Sequence, residues 1–542
     1  MKNIKSYTIK SWVKQGVALL IVLMLSFCCA CSARQTAENE EGVLLATPSP
    51  EPAPQIGGEI RLPMPLNADI TNPLKVNTEE MMALFSLIYE SLISISSAGK
   101  LTAELAESWS GDEASKVWTF TLRSGVKWHD GENLTAQDVT ATYEYLKTLS
   151  TESYYAYQAS KIESMRAVDE RTVEVTMAQG GYASLYALTF PVIQGGQIAA
   201  MPMGTGPFKM EIWTGTEARL IANTNWWRQR PYLDAIIFVE RDSNETALAS
   251  YLAGQMDMVP SSNTGVGRYR NESTTVLDVV TQTMEMMLIN NNHAPLRDIN
   301  VRKAIAYAMD RSKIISNIYM NRAQPCDVPV APDSWIYDSK SKIYDYNLAK
   351  ARELLATAGW EQDEESGLLM RNGQTFSIRL LVNDSADTIR KEAAGLIVSQ
   401  LMELGMEVEL INAPYEIGQR DSEYLQKISS GDYDLCLMGL NVGRDADLTS
   451  IMDPEGISHY GNYSVPELTS MAHDIVFARD ETAYRKAASS FQIKFAEELP
   501  FIVLYFRLNS IVYSSEIKGL SDCREPDIMY SADKWYVNQR QD

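Results

Sequence analysis

Hydrophobic and polar positions recur with two different spacings along the chain, and residues 375–440 show both most clearly. Apolar or alternating runs there predict three buried strands, TFSIRLLVN (375–383), MEVELIN (406–412) and YDLCLMGL (433–440). Between them, apolar residues from Ile389 to Leu404 recur at helical spacing until Gly405, and a second helical segment ends at Gly431. This β-α-β-α-β order predicts parallel strands joined by right-handed crossovers.

The rest of the chain carries strand and helix patterns in a more mixed order. Further helices are predicted over residues 134–147, 299–319 and 346–359, and further strands over 116–123, 171–178 and 232–240. The first of these helices opens with Thr135 and Asp138, which resemble a capping box, and the second follows Asp298 or Asn300 as its cap. Mixed elements predict an α/β lobe with a smaller subdomain beside a second α/β lobe, and two lobes imply a cleft.

The N-terminus has the pattern of a secretory signal. Its lysines precede the first acidic residue, and Gly16–Ala30 is uncharged and strongly apolar but too short to span a bilayer comfortably. The segment resembles a bacterial lipobox, in which signal peptidase cuts before a lipid-bearing cysteine. Cys31 fits best because a small residue precedes it, whereas Cys29 follows Cys28. We therefore expect residues 1–30 to be a lipoprotein signal peptide, with an ordinary secretion signal or an uncleaved anchor as alternatives.

The chain beyond the signal divides into a tether and a large acidic body. Residues 31–56 are polar and then carry proline at every second position up to Pro54, which favours an acylated cysteine followed by a disordered, extended tether. About 485 residues follow from Gly57, enough for two or more domains. Without residues 1–30 and their four lysines, 44 basic residues stand against 70 acidic ones, a net charge of −26. Because nucleic-acid binding relies on Lys and Arg, this charge argues against a nucleic-acid partner.

Residue groups that could perform catalysis or hold a metal are scarce. No histidine pair has the spacing of a helix-borne zinc site, and downstream of the signal there is no CxxC pair, GxSxG elbow or phosphate loop. WHDGE (128–132) has the profile of a tight Asp-Gly turn rather than of a metal cluster. Asp445 and Asp447 could serve as a hydrolase's carboxylate pair. We expect no catalytic residues, no metal and no cofactor, and a protein that captures a ligand rather than converting it.

Three cysteines lie in the body of the chain. Cys326, Cys436 and Cys523 are odd in number and widely scattered. One disulfide is possible in an oxidising compartment, but no pair is singled out, and we expect three free thiols.

Several segments, taken in order, resemble the family 5 extracellular solute-binding proteins, which include the oligopeptide- and dipeptide-binding receptors of ABC importers. VWTFTLRSGVKWHDGENLTAQDVTATYEYL (117–146) is close to the family signature throughout. The others are LIYESL (87–92), LTAELAESW (101–109), GTGPFKM (204–210), INNNHAPLRDINVRKAIAYAMDRSKII (289–315), YDYNLAKARELLATAGW (344–360), GDYDLCLMGL (431–440) and ELPFIVLYF (498–506). The resemblance spans essentially Gly57 to Trp535.

This resemblance implies an α/β, two-lobed fold of the type II periplasmic-binding-protein kind, with an extra small subdomain in the first lobe. The implied divisions are 57–283 for the first lobe, including the subdomain at about 80–200, then 284–502 for the second lobe and 503–542 for the return to the first. By analogy, residues 281–290 and 500–506 are the two crossing segments that form the hinge.

The resemblance also implies a function. Family members close over a peptide or peptide-like solute and deliver it to a membrane permease driven by an ATPase. A ligand that contacts both lobes only in the closed form biases the hinge, and main-chain hydrogen bonds suit an extended peptide of any sequence. We expect an extracytoplasmic lipoprotein on the outer face of the bacterial cytoplasmic membrane, anchored through lipid at Cys31 and monomeric.

Ligand-binding residues follow partly from the family and partly from the strand ends. Asn77 and Thr78 align ahead of LIYESL, where peptide binders contact the ligand backbone, and Tyr154, Tyr155 and Tyr157 align with a segment that lines the cleft. Ligands of parallel sheets sit beyond the carboxyl ends of strands. In the second lobe those ends are Asn383, Asn412, Gly439, Leu440, Asn441, Arg444 and Asp445. The family places the pair Trp226–Trp227 on a lobe surface instead.

The loop 439–445 departs from the peptide-binding pattern. Leu440 stands where the family has an aromatic residue, and Gly443 or Arg444 stands where an acid holds the ligand's α-amino group. Asp445 could take that role if the loop shifts by one or two residues. Arg444 is either a partner for an anionic ligand group or a solvated loop residue.

The changed loop keeps other functions open. The same fold could bind an oligosaccharide, a nickel chelate or another solute that is not a peptide. Other classes of function are a hydrolase that uses Asp445 and Asp447, and a sensor or adhesion lipoprotein without a transporter. Turnover would identify the hydrolase, and neighbouring genes for a permease and an ATPase would identify the receptor.

Overall fold

The computed structural model describes residues 53–538, except 68, 150–152, 197–200, 242–243, 386–387, 417 and 420. The predicted signal peptide, Cys31 and the tether as far as residue 52 lie outside the described residues. From Pro54 onward the chain forms one unit. Within the described residues, no helix is both long and apolar enough to cross a membrane.

The largest sheet contains the three parallel strands that the sequence predicted. Its strands, in spatial order, are Met258–Ser261, Ile502–Ser514, Thr274–Ile289, Leu435–Asn441, Ser377–Asp384 and Glu407–Pro414, with Ala323–Pro325 paired to Ile502–Ser514. Ser377–Asp384 is parallel to both of its neighbours. Ile389–Glu403 and Glu423–Ser430 are the crossover helices, so this β-α-β-α-β prediction is confirmed.

Two long antiparallel strands, Thr274–Ile289 and Ile502–Ser514, run through the middle of this sheet, and we call them the crossing strands. They are longer than the crossing segments that the sequence predicted. Their pairing is irregular: Val280 faces Leu508, but Met284 faces Phe506, so the first strand carries two extra residues. The predicted lobe boundaries, 283/284 and 502/503, fall within the first crossing strand and at the start of the second. We keep the names first lobe and second lobe for the parts that these predicted boundaries separate.

The first lobe contains two four-stranded sheets. One consists of Glu59–Pro63, Ala235–Val239, Glu217–Ala222 and Phe208–Trp213, and the other of Ala106–Gly111, Val117–Leu122, Thr172–Met177 and Ile162–Ala167. In Val117–Leu122 every second side chain is buried, as its sequence alternation predicts. Smaller strand groups are Ile93–Ile95 with Leu101–Ala103, Glu361–Gln362 with Leu369–Arg371 and Gln374–Thr375, and Ile517–Lys518 with Tyr536–Val537.

The helices that the sequence predicted are found, but one of them is broken in two. The remaining α-helices are Glu79–Ser86, Ala136–Leu146, Tyr154–Ala159, Asn244–Leu252, Ile299–Ala308, Arg311–Asn317, Leu348–Thr357, Thr449–Met452, Pro466–Val476 and Glu481–Glu498. The single helix predicted over 299–319 is wrong, because the chain leaves helical geometry at Met309 and Asp310 starts a second helix by accepting the Lys313 N–H at 2.9 Å. Asp138 receives the Thr135 N–H at 2.8 Å, as a capping box requires.

A line of contacts, which we call the seam, joins the small subdomain to the second lobe. Trp335 N donates to Ala98 O at 2.9 Å and Tyr182 N donates to Ala478 O at 2.6 Å. The Ser115 hydroxyl donates to Arg479 O at 2.7 Å. Main-chain groups on both sides of the seam are therefore within bonding distance, and the lobes face each other without a gap there.

Candidate functional site

One cavity of about 630 Å³ is lined by segments that are far apart in the sequence. Its walls come from the helix Glu79–Ser86 and the residues after it, from Tyr154, Tyr155 and Gln158, from 226–228, from the loop 443–445 and from residues between 524 and 533. The volume lies within the usual range of small-molecule sites, roughly 300–1,000 Å³. Because the loop 443–445 belongs to the second lobe and the other walls belong to the first, the cavity lies between the lobes.

Arg444 joins the second-lobe wall to the first lobe. Its Nε donates to Glu525 O and its Nη1 donates to Ser97 O, each at 2.9 Å. A guanidinium with two main-chain acceptors is positioned by the protein itself, and burial lowers its pKa. The prediction that Arg444 is a solvated loop residue is therefore wrong, because it bridges two segments of the first lobe.

Asp445 lies beside Arg444 and also lines the cavity. Its carboxylate accepts only a long bond, 3.4 Å, from Asp447 N. Among the described residues, no lysine or arginine lies within ion-pair distance of it. Burial, and then the charge of Asp447, raise the pKa of the Asp445 carboxyl. The charge of Lys161 offsets only part of this effect, so the acid suits a cationic ligand group.

Aromatic rings line the wall beside this acid. Tyr154 and Tyr155 pack edge to face with their ring centres 5.4 Å apart. Tyr186 also lines the cavity, and its hydroxyl donates to Gly99 O at 2.7 Å. Burial raises the pKa of all three phenols, so they stay neutral at physiological pH and offer the ligand packing surface and hydroxyl groups.

A buried carboxylate occupies another part of the wall. Glu90 Oε1 accepts both indole N–H groups, from Trp226 at 3.2 Å and from Trp227 at 3.0 Å. Burial, and then the charge of Glu104, raise the pKa of Glu90 to about 8. Arg228 offsets part of the negative charge of Glu90 and Glu104. Its guanidinium lies 3.5 Å from the Glu104 carboxylate and 4.7 Å from the Trp227 ring centre. The two tryptophans line the cavity, a position that the family resemblance did not predict for them.

The C-terminal return contributes a wall that the sequence did not single out. Arg524, Asp527 and Tyr530 line the cavity. Asp527 accepts the Ser86 hydroxyl at 3.3 Å, which fixes this segment against the helix Glu79–Ser86. No strand or helix periodicity marks residues 524–530, so a sequence pattern had no means of placing them.

Comparison with known proteins decides the family. Residues 100–454 match the profile of the bacterial extracellular solute-binding proteins, family 5, middle region. The chain belongs to this family. It is a solute-binding protein of the kind that serves ABC importers, and the family is defined by solute binding rather than by catalysis.

Relatives of this family 5 protein are similar over most of its length. The oligopeptide-binding protein AppA of Bacillus subtilis is 24% identical over 97% of this chain and 99% of its own. The nickel-binding periplasmic protein of Escherichia coli is 26% identical over 65% of this chain and 71% of its own. A solved nickel ABC transporter protein from Bacillus halodurans has a TM-score of 0.76 at 19% identity, covering 88% of this chain and 98% of that one. The two-lobed, type II periplasmic-binding-protein fold is therefore shared.

Of the predicted ligand residues, four line the cavity of the family 5 protein, namely Tyr154, Tyr155, Arg444 and Asp445. Asn77 is exposed, and Thr78 caps the helix Glu79–Ser86 by accepting Met81 N at 3.4 Å. The Tyr157 side chain is exposed and does not line the cavity. The structure thus does not bring these last three residues to the cavity.

The strand ends of the second lobe are occupied by protein groups. Arg390 donates two bonds to Glu285, at 2.8 and 2.9 Å, and a third to Asn383 at 2.7 Å. A Cβ added at Gly439 would lie 2.5 Å from Arg390 Nη2, so the glycine leaves room for this buried ion pair. Asn441 accepts the Thr283 hydroxyl at 3.0 Å. Leu440 is half-buried and Asn412 is exposed, and neither lines the cavity.

Neither a metal cluster nor a disulfide is found in the part of the chain that the structure describes. No three His, Cys, Asp or Glu residues there are arranged to hold a metal ion. Cys326, Cys436 and Cys523 are free and buried, as expected. Asp447 is exposed, and its carboxylate caps Thr449 N at 3.1 Å rather than facing the cavity with Asp445.

Proposed function

We propose that this protein captures a peptide or peptide-like solute between its two lobes and delivers it intact to the permease and ATPase of an ABC importer. The observation that carries the proposal is the cavity with Asp445 in its wall, half-buried and without a lysine or arginine among the described residues at ion-pair distance. An ammonium group would neutralise this acid at the ordinary distance of an ion pair. Relatives named as oligopeptide-binding and dipeptide-binding proteins support a peptide as the solute.

The test compares peptides with and without a free amino group. A degenerate pool of tri- to pentapeptides is added to the chain from Gly57 onward, followed by the same pool after N-acetylation. A ligand at a hundred times its dissociation constant adds roughly 2.7 kcal/mol to stability, which raises the melting temperature visibly. We expect a shift with free peptides only, and recovery of intact peptide by mass spectrometry.

Two variants make this test specific. Asp445→Asn removes this acid and should abolish the preference for the free amine. Asp447→Asn, which changes an exposed acid two residues away, should keep it. Equal shifts with acetylated peptides, or hydrolysed peptide at the end, would contradict the proposal.

An anionic metal chelate is the second candidate. Arg123, Arg228, Arg444 and Arg524 all line the cavity, and a nickel-binding protein is among the relatives. Thermal shift with nickel and a polycarboxylate chelator, and not with nickel alone, would favour this candidate.

We also propose that the mature chain begins at an acylated Cys31 and is held on the outer face of the cytoplasmic membrane as a monomer. The small residue before Cys31 and the tether up to residue 56 support this anchor. Cells grown with a clickable fatty acid should label the protein, and Cys31→Ser should remove the label. Cys29→Ser is the matched control, and loss of the label there instead would move the anchor.

A further inference from the structure

Arg524 is a buried cation whose hydrogen-bonding groups are largely unused. The residue is 8% exposed and lines the cavity. Its Nε has no hydrogen-bond partner among the described residues. Its ionic contact with Asp527 is long, with Nη2 3.5 Å from Oδ2, and its guanidinium is 4.5 Å from the Tyr530 ring centre. A guanidinium has five donors, so most of those of Arg524 remain available.

The buried Arg302 and the half-buried Arg444 differ in this respect. Arg302, equally buried, donates to four main-chain carbonyl oxygens at 2.8–3.2 Å. Arg444 also has two carbonyl acceptors. A buried charge without such partners is costly, and it persists where a ligand completes its contacts. Since Arg524 faces the cavity, the missing partner is an anion placed there.

We propose that Arg524 binds the carboxylate of the captured solute, and that the solute is therefore a short zwitterion such as a di- or tripeptide. This rests on the proposed function, which assigns the ammonium group to Asp445. The Arg444 side chain bonds to Glu525 O, so Asp445 and Arg524 are the chain neighbours of two residues in direct contact. Both residues line the same cavity of about 630 Å³, and the two ends of the ligand bind there.

Asp527 does not take the place of the ligand carboxylate as the partner of Arg524. Its carboxylate is shared among the Ser86 hydroxyl at 3.3 Å, Met529 N at 3.2 Å and the long contact to Arg524. A guanidinium favours a carboxylate as its acceptor, so a ligand carboxylate in the cavity suits the donors of Arg524 that Asp527 leaves without a close partner.

The experiment measures how strongly binding depends on the C-terminal carboxylate. A degenerate tripeptide pool, as free acids and as C-terminal amides, is titrated into the wild type, Arg524→Gln and Arg524→Lys. We expect the wild type to bind the acids roughly ten- to a hundredfold tighter than the amides, as loss of a charged hydrogen-bond partner implies. Arg524→Gln should lower this ratio to about one by weakening the acids alone, and Arg524→Lys should keep an intermediate preference. Arg166→Gln, which removes an exposed arginine paired with Glu174, is the control and should match the wild type.

The outcomes separate this inference from the proposed function. If the acids and the amides bind the wild type equally, the protein binds peptides but Arg524 does not bind their carboxylate. An unchanged acid preference in folded Arg524→Gln overturns the inference in the same way. If neither pool binds, the peptide proposal and this inference both fall. Should Arg524→Gln fail to fold, the inference is tested by the ratio of acid to amide affinity in the wild type and in Arg524→Lys.

Discussion

At the scale of single residues, the cavity wall holds several acids away from water, and their partners decide what each one does. Glu90 is held by two indole N–H groups, whereas Asp445 has no comparable donor among the described residues. The first arrangement is complete within the protein and the second is not. Burial therefore indicates function only when the hydrogen bonds around a group are also counted.

Glu90 makes the stability of the protein depend on pH. Burial raises its pKa from an ordinary 4.5 to about 8, so the folded state favours the neutral acid. Its contribution is fully present below pH 4.5 and is lost as the pH rises through 8. Relative to Glu90→Gln, the wild type should lose unfolding free energy over this window, by up to about 1.4 kcal/mol per pH unit. Urea unfolding at pH 5, 6.5 and 8 measures this.

The control for this prediction is Glu107→Gln, which alters an exposed acid paired with Arg171. Its unfolding free energy should follow the wild type at all three pH values. If Glu90→Gln also runs parallel to the wild type, Glu90 is not the titrating group.

The structure should not tolerate even an added methyl group at Gly439. Alanine there would meet Arg390 Nη2 at 2.5 Å and Glu285 Oε1 at 3.0 Å, so the buried ion pair must shift. We expect Gly439→Ala to destabilise the fold by about 1–3 kcal/mol in urea unfolding. Gly395→Ala is the matched control, because nothing lies within 4 Å of its added Cβ on the exposed face of a helix. It should stabilise by about 0.5–1 kcal/mol, and equal effects of the two changes would contradict the packing argument.

At the scale of elements, periodicity predicted those parts whose burial is set by one face. The strand Val117–Leu122 and the helix Ile389–Glu403 agree with their patterns to within two residues. The break at Met309 was missed because apolar spacing continues through it, and the pattern does not reveal that Asp310 bonds locally. Local competition of an Asp side chain for backbone N–H groups is the physical reason.

Asp310 should therefore contribute to stability through its cap. Asp310→Ala removes the cap on Lys313 N and should cost about 0.5–2 kcal/mol of unfolding free energy. Asp345→Ala, an exposed acid outside any helix, is the control and should stay within about 0.5 kcal/mol of the wild type. No loss in the first variant would mean that the second helix begins without its cap.

At the scale of the whole molecule, the sequence could predict a cleft but not its lining. Arg444 and Asp445 were found because they follow a strand end. Arg524 and Trp227 were not, because they reach the cavity from segments separated by almost 300 residues and carry no common pattern. The strand ends at Asn383 and Gly439 were expected to face the ligand, but Arg390 and Glu285 fill that space.

Arg444 should help to hold the lobes together before any ligand arrives. Arg444→Ala removes two charge-assisted bonds to Ser97 and Glu525, each worth roughly 1.5–3 kcal/mol. We expect a larger radius of gyration in small-angle X-ray scattering without ligand, since a loss of this size shifts a two-state equilibrium at least about tenfold. Arg479→Ala, with its side chain 79% exposed at the seam, is the control. An unchanged radius in Arg444→Ala would show that other seam contacts suffice.

The three buried thiols have a practical consequence. Burial raises the pKa of Cys326, Cys436 and Cys523 to about 12 each, so at neutral pH they are protonated and shielded from maleimide dyes. A chain that starts at Gly57 lacks the cysteines of the N-terminus. One new cysteine in place of Lys100, whose amine pairs with Glu481 across the seam at 2.6 Å, would then be the sole reactive handle. A fluorophore attached there would turn the receptor into an optical sensor of its own solute.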